Sequence, residues 1–234
     1  MLHLVERLNA LDVVLASSSP RRRDILDMIG MNVRVVPSAF DEGQLKSRRT
    51  GMFASPEEYV RASAYLKAAH AVGACPTADV IIAADTIVVV DGDILEKPID
   101  DAHAASMLER LSGRTHRVLT GVSIVTRNAA AADKGDAYVD NFALLLPNGF
   151  NPGTHHHRTW VSATAVDVVP LDRRLIDAYI ATGEHRDKAG SYGIQGCASV
   201  FIKGIHGCFY NVMGFPLQAF STAMQELFDS IQPK

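Results

Sequence analysis

A chain of 234 residues with 47% hydrophobic content is long enough to bury a sizeable core, and it fits one domain or one domain with two lobes. A formal net charge of −3 and a pI near 6.3 give no global attraction to nucleic acid or to an anionic membrane, so neither is an expected partner and any anion must be held locally. Three cysteines, Cys75, Cys197 and Cys208, are odd in number and lack CxxC spacing, which argues against a disulfide framework or a zinc ribbon and fits a reduced compartment.

The first ten residues place Glu6 among apolar side chains, without the long apolar core of a signal peptide, and no stretch reaches the length of a membrane span. A cytoplasmic location is the expectation. The apolar run Asp12 to Ala16 predicts a buried strand entering the polar turn Ser17-Ser-Ser-Pro-Arg21. Pro20 suits a first helical turn, Ile25, Leu26 and Ile29 supply an apolar face, and Gly30 ends the helix. Val33 to Val36 predicts a second short strand, and Asp41 to Gly51 a polar loop. Ser55-Pro-Glu-Glu58 then opens a helix to about Val72, with Ser55 as N-cap, Pro56 at the first position and Glu58 completing a capping box.

Val80 to Ala84 is a continuous apolar run that predicts a central strand delivering Asp85 at or near its end. A further strand is expected over Ile87 to Val90, a turn at Asp91-Gly92, and a short strand at Ile94-Leu95. Asp100 caps a helix through Leu111, and Arg117 to Thr126 alternates as a strand. Residues 128–158 break the rhythm and read as an insertion or long loop, with Tyr138 to Leu146 a strand candidate inside it. A strand over Thr159 to Val169, a helix over Leu171 to Ala181, a glycine-rich loop over Gly183 to Gly196, a strand near Ser199 to Lys203 and a helix from about Pro216 to Phe228 follow. The alternation predicts a mixed α/β sheet flanked by helices.

Ser17 to Arg23 sets hydroxyls, Ser19 among them, and guanidinium groups on a loop that opens a helix, where unpaired backbone N–H groups and the helix dipole favour an anion. The two readings are a phosphate grip and a capped helix with surface arginines. Neither a GxxxxGK[ST] loop nor a GxGxxG motif occurs in the chain. A carboxylate such as Asp85 after five apolar residues binds a metal, activates water or caps a turn. Glu42 beside Asp41 is either a solvated charge or the second oxygen donor of a magnesium or manganese site. Lys67 on the predicted helix and Lys97 in Glu96-Lys-Pro98 are each an ordinary surface lysine taken singly. Together with the arginine loop and Asp85 they make the mix of cations and carboxylates that phosphate-anhydride chemistry needs. The loop Asp187 to Gly196 is a flexible turn, or a close-approach surface on which Gln195 hydrogen-bonds a planar ligand. His155 to His157 lack cysteine or carboxylate at ligand spacing and read as a solvated cluster.

Leu15-Ala-Ser-Ser-Ser-Pro-Arg-Arg22, Ala83-Ala-Asp-Thr86, Glu96-Lys-Pro98, Leu111-Ser-Gly-Arg-Thr-His116, Asp187-Lys-Ala-Gly-Ser-Tyr-Gly-Ile-Gln-Gly196 and Val212-Met-Gly-Phe-Pro-Leu217 follow one another in this order. In that order they resemble the Maf family of nucleotide pyrophosphatases, also called septum formation inhibitor homologues. The resemblance implies one domain over residues 1–234, interrupted at about 128–158, where the family has a short connection. It implies a fold similar to inosine triphosphatases, with a curved mixed sheet in two lobes around a deep cleft, and a homodimer. It further implies that the chain hydrolyses nucleoside triphosphates to a monophosphate and pyrophosphate. Asp85 is then the catalytic carboxylate, Ser17, Ser19, Arg22, Lys67 and Lys97 bind phosphate, and Asp85 with Glu42 holds Mg2+ or Mn2+. Arg21, Thr86 and Gln195 resemble the branch acting on dTTP and UTP, rather than the branch acting on 7-methyl-GTP. A nucleotide-binding regulator of cell division without turnover, and a pyrophosphatase for other modified nucleotides, are the alternatives.

Overall fold

The computed structural model describes residues 1–47, 49–127, 145–147, 150 and 155–231. Among them, seven strands form one sheet: β1 (Val13–Leu15), β2 (Arg34–Val35), β3 (Val80–Val90), β4 (Asp93–Leu95), β5 (Thr115–Thr126), β6 (His156–Val168) and β7 (Ile202–His206). The order is β2-β1-β3-β5-β6-β7, with β4 paired to β3. β1 runs parallel to β2 and β3, whereas β3–β4 and β6–β7 are antiparallel, so the sheet is mixed. The helices are α1 (Val5–Asn9), α2 (Pro20–Met28), α3 (Glu42–Ser47), α4 (Arg49–Met52), α5 (Pro56–Ala74), α6 (Asp101–Leu111), α7 (Arg173–Ala181), α8 (Phe209–Met213) and α9 (Leu217–Ile231). The mixed α/β class predicted from the alternation of elements is the observed one. Among the described residues, no helix is long and apolar enough to cross a membrane.

The chain falls into two compact units. The first comprises Met1–Asp85, Gly121–Val161 and Leu217–Lys234, and the second Thr86–Thr120 and Ser162–Pro216. In the first, Val14, Ile81, Ala83 and Val125 of the strands pack with Ala68 and Ala71 of α5. Small residues on that helix face let it lie close to the strands. At Gly121 of β5 an added Cβ would stand 2.4 Å from the Val60 carbonyl oxygen of α5, so only glycine admits this approach. The helix is started as predicted: the Glu58 N–H donates to Ser55 Oγ at 3.2 Å, and Pro56 opens the first turn. The Glu58 carboxylate accepts from the Ala54 N–H at 2.8 Å, one residue before the cap.

In the second unit, Val88, Leu108, Val118, Val166, Ile176 and Phe201 belong to a single apolar cluster. The Asp91-Gly92 turn has positive φ at both residues, 52° and 83°, and closes a two-residue hairpin in which Val90 pairs with Asp93. Gly190 has φ of 67°, and a Cβ there would meet Val88 at 2.8 Å, while its N–H donates to the Glu96 carbonyl at 3.1 Å.

Several boundaries depart from the sequence expectation. Residues 41–51 were expected as loop, yet α3 and most of α4 lie there, because Leu45 is fully buried and anchors a turn of helix that polar composition conceals. β3 is one strand through Asp85 and Thr86 rather than two, so Asp85 lies in its interior. β6 begins at His156, inside the stretch expected as loop, and β7 begins three residues later than expected. The segments before it are tight helical turns, Ala189–Ser191 and Cys197–Val200. His155 and His157 are half-buried rather than solvated, with the His157 ring 5.2 Å from Tyr65 and 5.5 Å from Phe150. The strand candidate over 138–146 lies largely outside the described residues, as does most of 128–158.

Candidate active site

β3 is apolar and buried except at its middle, where Asp85 and Thr86 are the two partly exposed positions. A carboxylate inside an otherwise buried strand is costly unless cations meet it. Here Lys67 Nζ donates to Asp85 Oδ1 at 2.8 Å and lies 2.8 Å from Glu42 Oε1 as well. The side chains of Lys67 and Asp85 are 11% and 15% exposed, so this ion pair is shielded enough to matter. Glu42, 44% exposed, is the wet member.

Local structure explains the convergence. Lys67 comes from α5, laid on β5 through the Gly121 gap. Glu42 is the first residue of α3, and the segment before it is tied to α5: Ser38 Oγ donates to the Lys67 carbonyl at 2.9 Å, and the Phe40 ring stands 5.2 Å from His70. The third contributor is the loop between β1 and α2. Ser17, buried, accepts from the Ser19 N–H at 3.2 Å and from Arg22 Nη1 at 2.9 Å, which leaves its own hydroxyl proton for a further acceptor. Arg22 is buried in the first turns of α2, and its charge acts on Asp85 and Glu42. Arg21 and Ser19 are half-buried beside it.

The electrostatics follow from these contacts. Burial pushes the Asp85 carboxyl up, but the Lys67 charge and hydrogen bond, the Arg22 charge and a hydrogen bond from Ser63 outweigh it, and the net direction is down. Asp85 is therefore ionised at neutral pH. Burial lowers the Arg22 guanidinium, against the attraction of Asp85, yet arginine remains charged.

Ser17, Arg22, Glu42, Lys67 and Asp85 are thus brought together, as the sequence reading proposed. Thr86, Lys97 and Gln195 belong to the second unit, where Lys97 and Gln195 are exposed. Sequence reasoning missed Ser63, which is buried one helical turn before Lys67 and hydrogen-bonds Asp85, and Ser38.

Among the described residues, no group of three or more His, Cys, Asp or Glu side chains comes together to cage a metal ion. Two carboxylates sharing one ammonium nevertheless suit a hard divalent cation that takes one or two carboxylates and fills its other positions with water and phosphate oxygens. Two carboxylates against Arg22 and Lys67 leave the cluster near neutral, so the charge of an arriving polyphosphate has still to be met. The residues present fit such an ion.

The chain is 38% identical to the dTTP/UTP pyrophosphatase of Pectobacterium atrosepticum, over 87% of this chain and 86% of that protein. It is 40% identical to the dTTP/UTP pyrophosphatase of Symbiobacterium thermophilum, over 88% of each. A human protein named probable bifunctional dTTP/UTP pyrophosphatase/methyltransferase protein is 39% identical over 95% of this chain, which spans 33% of that longer protein. Residues 12–227 match the pattern of the family described as Maf-like protein, a span that holds every residue of the cluster, and the chain belongs to that family.

Proposed function

We propose that this chain is a nucleoside triphosphate pyrophosphatase that hydrolyses dTTP and UTP to the monophosphate and pyrophosphate. The observation that carries the reading is the buried Lys67 ammonium shared by Asp85 and Glu42, beside Arg22 and a Ser17 hydroxyl with a proton to give. Relatives that match most of this chain bear the name dTTP/UTP pyrophosphatase, which supplies the substrate.

Arg22, Lys67 and Ser17 bind phosphate oxygens, with Ser19 and the N–H groups opening α2 beside them. Asp85, held ionised, accepts a hydrogen bond from the attacking water and aims it at the α-phosphorus, taking its proton as the bond to phosphorus forms. Pyrophosphate departs with the bridging oxygen, and the cations neutralise its charge. Glu42 and Asp85 would hold a Mg2+ or Mn2+ ion, which supplies charge neutralisation to the triphosphate. Lys97 as a phosphate ligand and Arg21, Thr86 and Gln195 as base-selecting residues join the reading through the resemblance. A deep-clefted, two-lobed form similar to inosine triphosphatases and a homodimer rest on the same ground, and a cytoplasmic location on the sparse, unpaired-looking cysteine set and the composition of the first ten residues.

A substrate panel tests it. Pyrophosphate release is measured from dTTP, UTP, CTP and 7-methyl-GTP with magnesium or manganese. Selective release from dTTP and UTP is the expected result; release from 7-methyl-GTP alone moves the chain to the other branch, and no release from any removes the enzymatic reading.

A further inference from the structure

Lys67 is needed in two places at once. Its ammonium stands 2.8 Å from Asp85 Oδ1 and 2.8 Å from Glu42 Oε1, whereas the proposed reaction needs it on phosphate oxygens. All three residues belong to the first unit, so the conflict lies within one compact body. The backbone cannot resolve it. Ser38 Oγ donates to the Lys67 carbonyl at 2.9 Å, and α5 is pressed on β5 where Gly121 meets the Val60 carbonyl. A change of partner therefore falls to the side chain, a flexible four-carbon stem whose neighbour Glu42 is 44% exposed and faces water.

Charge dictates what brings the change about. The ammonium bridges the same two carboxylates that suit a hard divalent cation, and both cations seek the same oxygen lone pairs. An ion on the other oxygen of either carboxylate would still stand one carboxyl group away from Nζ, close enough for like charges to repel. Two carboxylates also cancel Lys67 and Arg22, so the lysine is neutralised where it stands. A divalent ion in its stead satisfies both carboxylates and leaves the Lys67 and Arg22 charges for an anion. Asp85 keeps a tie to α5 in such an exchange, because the Ser63 hydroxyl, one turn before Lys67, bonds it as well.

We propose that Lys67 is an exchangeable counter-ion: it yields the Asp85 and Glu42 oxygens to a divalent cation and turns its ammonium to the phosphates of the nucleotide. Metal and nucleotide then strengthen one another's binding, because the ion releases the charge that the nucleotide uses. The exchange rests on the metal-dependent pyrophosphatase reading and adds to it the order in which Lys67 serves its partners.

The test is Mn2+ affinity without nucleotide, by titration calorimetry, on wild type, Lys67→Met and Asp85→Asn, with melting curves in the presence and absence of Mn2+. Removing the competing ammonium should tighten Mn2+ binding to Lys67→Met about tenfold or more, within the usual range of coupling between linked ligands. Mn2+ should also raise the melting temperature of Lys67→Met by more than that of wild type. Asp85→Asn should bind the ion weakly. Equal or weaker binding by Lys67→Met, or unchanged binding by Asp85→Asn, overturns the inference. Wild type separates exchange from mere loss of a positive charge, and serves even where Lys67→Met does not fold. Acetylation of Lys67, followed by peptide mass spectrometry, should speed up several-fold in Mn2+ and slow again when α,β-methylene-UTP is added; a rate indifferent to Mn2+ overturns the inference. Pyrophosphate release from dTTP by wild type keeps the two readings apart. Release alongside any of these failures overturns the exchange alone, whereas no release overturns the pyrophosphatase reading with it.

Discussion

Lys67 holds two carboxylates apart from a site where its own side chain is 11% exposed. Lys67→Met leaves Asp85 and Glu42 facing one another without that cation, and removing one partner of a shielded pair costs about 3 kcal/mol. With the lysine present, the folded pKa of Asp85 is below its ordinary value of 3.8, so its contribution to stability is full above that value and is lost as pH falls through the lower folded one. Without the lysine the burial cause is met by less opposition, and the folded pKa moves up. Thermal melting at pH 7 and pH 5 should then show Lys67→Met closer to wild type at pH 5, together with loss of turnover; equal destabilisation at both values would contradict this account of Asp85. His116 makes the opposite kind of site. Its Nε2 lies 2.7 Å from the Tyr192 hydroxyl, and burial, opposed by Asp167, pushes the imidazole down to about 4. The unfolded chain binds the extra proton between about 6.5 and 4, so the neutral histidine favours folding fully above about 6.5, and that gain is lost as pH falls to about 4. His116→Gln should flatten urea midpoints across that window, and an unchanged slope would show that another group carries it.

At the scale of elements, the site depends on how closely α5 lies on β5. Gly121→Ala would place a methyl 2.4 Å from the Val60 carbonyl oxygen, so the helix must shift, at a cost of about 1–3 kcal/mol. Because α5 carries Ser63 and Lys67, pyrophosphate release should fall by more than the melting temperature alone explains; full activity at a lowered melting temperature would separate the helix position from the chemistry. The elements around the site were readable wherever local chemistry fixes them. Ser55-Pro56 and Asp100 announce helix starts through side-chain acceptors that do bond the third following N–H, at 3.2 Å and 2.7 Å. Asp85 stood out because a carboxylate interrupts an apolar run. Its place inside β3 was not readable, since aspartate is disfavoured in strands and common in turns, and it is Lys67 on a distant segment that makes the interior position tolerable. Helix α3 was hidden for a similar reason: its single buried side chain, Leu45, gives no period to read. Ser38 and Ser63 carry no signature in one dimension, because their significance comes from the Lys67 carbonyl and the Asp85 carboxylate they meet in three.

At the scale of the molecule, an acidic chain with a net charge of −3 takes up an anionic substrate only through its local cations, and two of these are already matched by carboxylates. Raising ionic strength should therefore weaken dTTP binding only modestly compared with withholding the divalent ion; a titration of KM against salt at fixed magnesium measures the first, and a chelator the second. The Asp85 carboxylate, at the middle of β3 and held ionised by Lys67, is the group proposed to do the chemistry. The direct measurement is pyrophosphate release from dTTP by Asp85→Asn beside wild type, in magnesium or manganese, with melting curves to establish that both are folded. Release by wild type and a loss of at least about a thousandfold in a folded variant are expected, in line with removal of a principal charge in a phosphate-anhydride site. Near wild-type release from folded Asp85→Asn would contradict it.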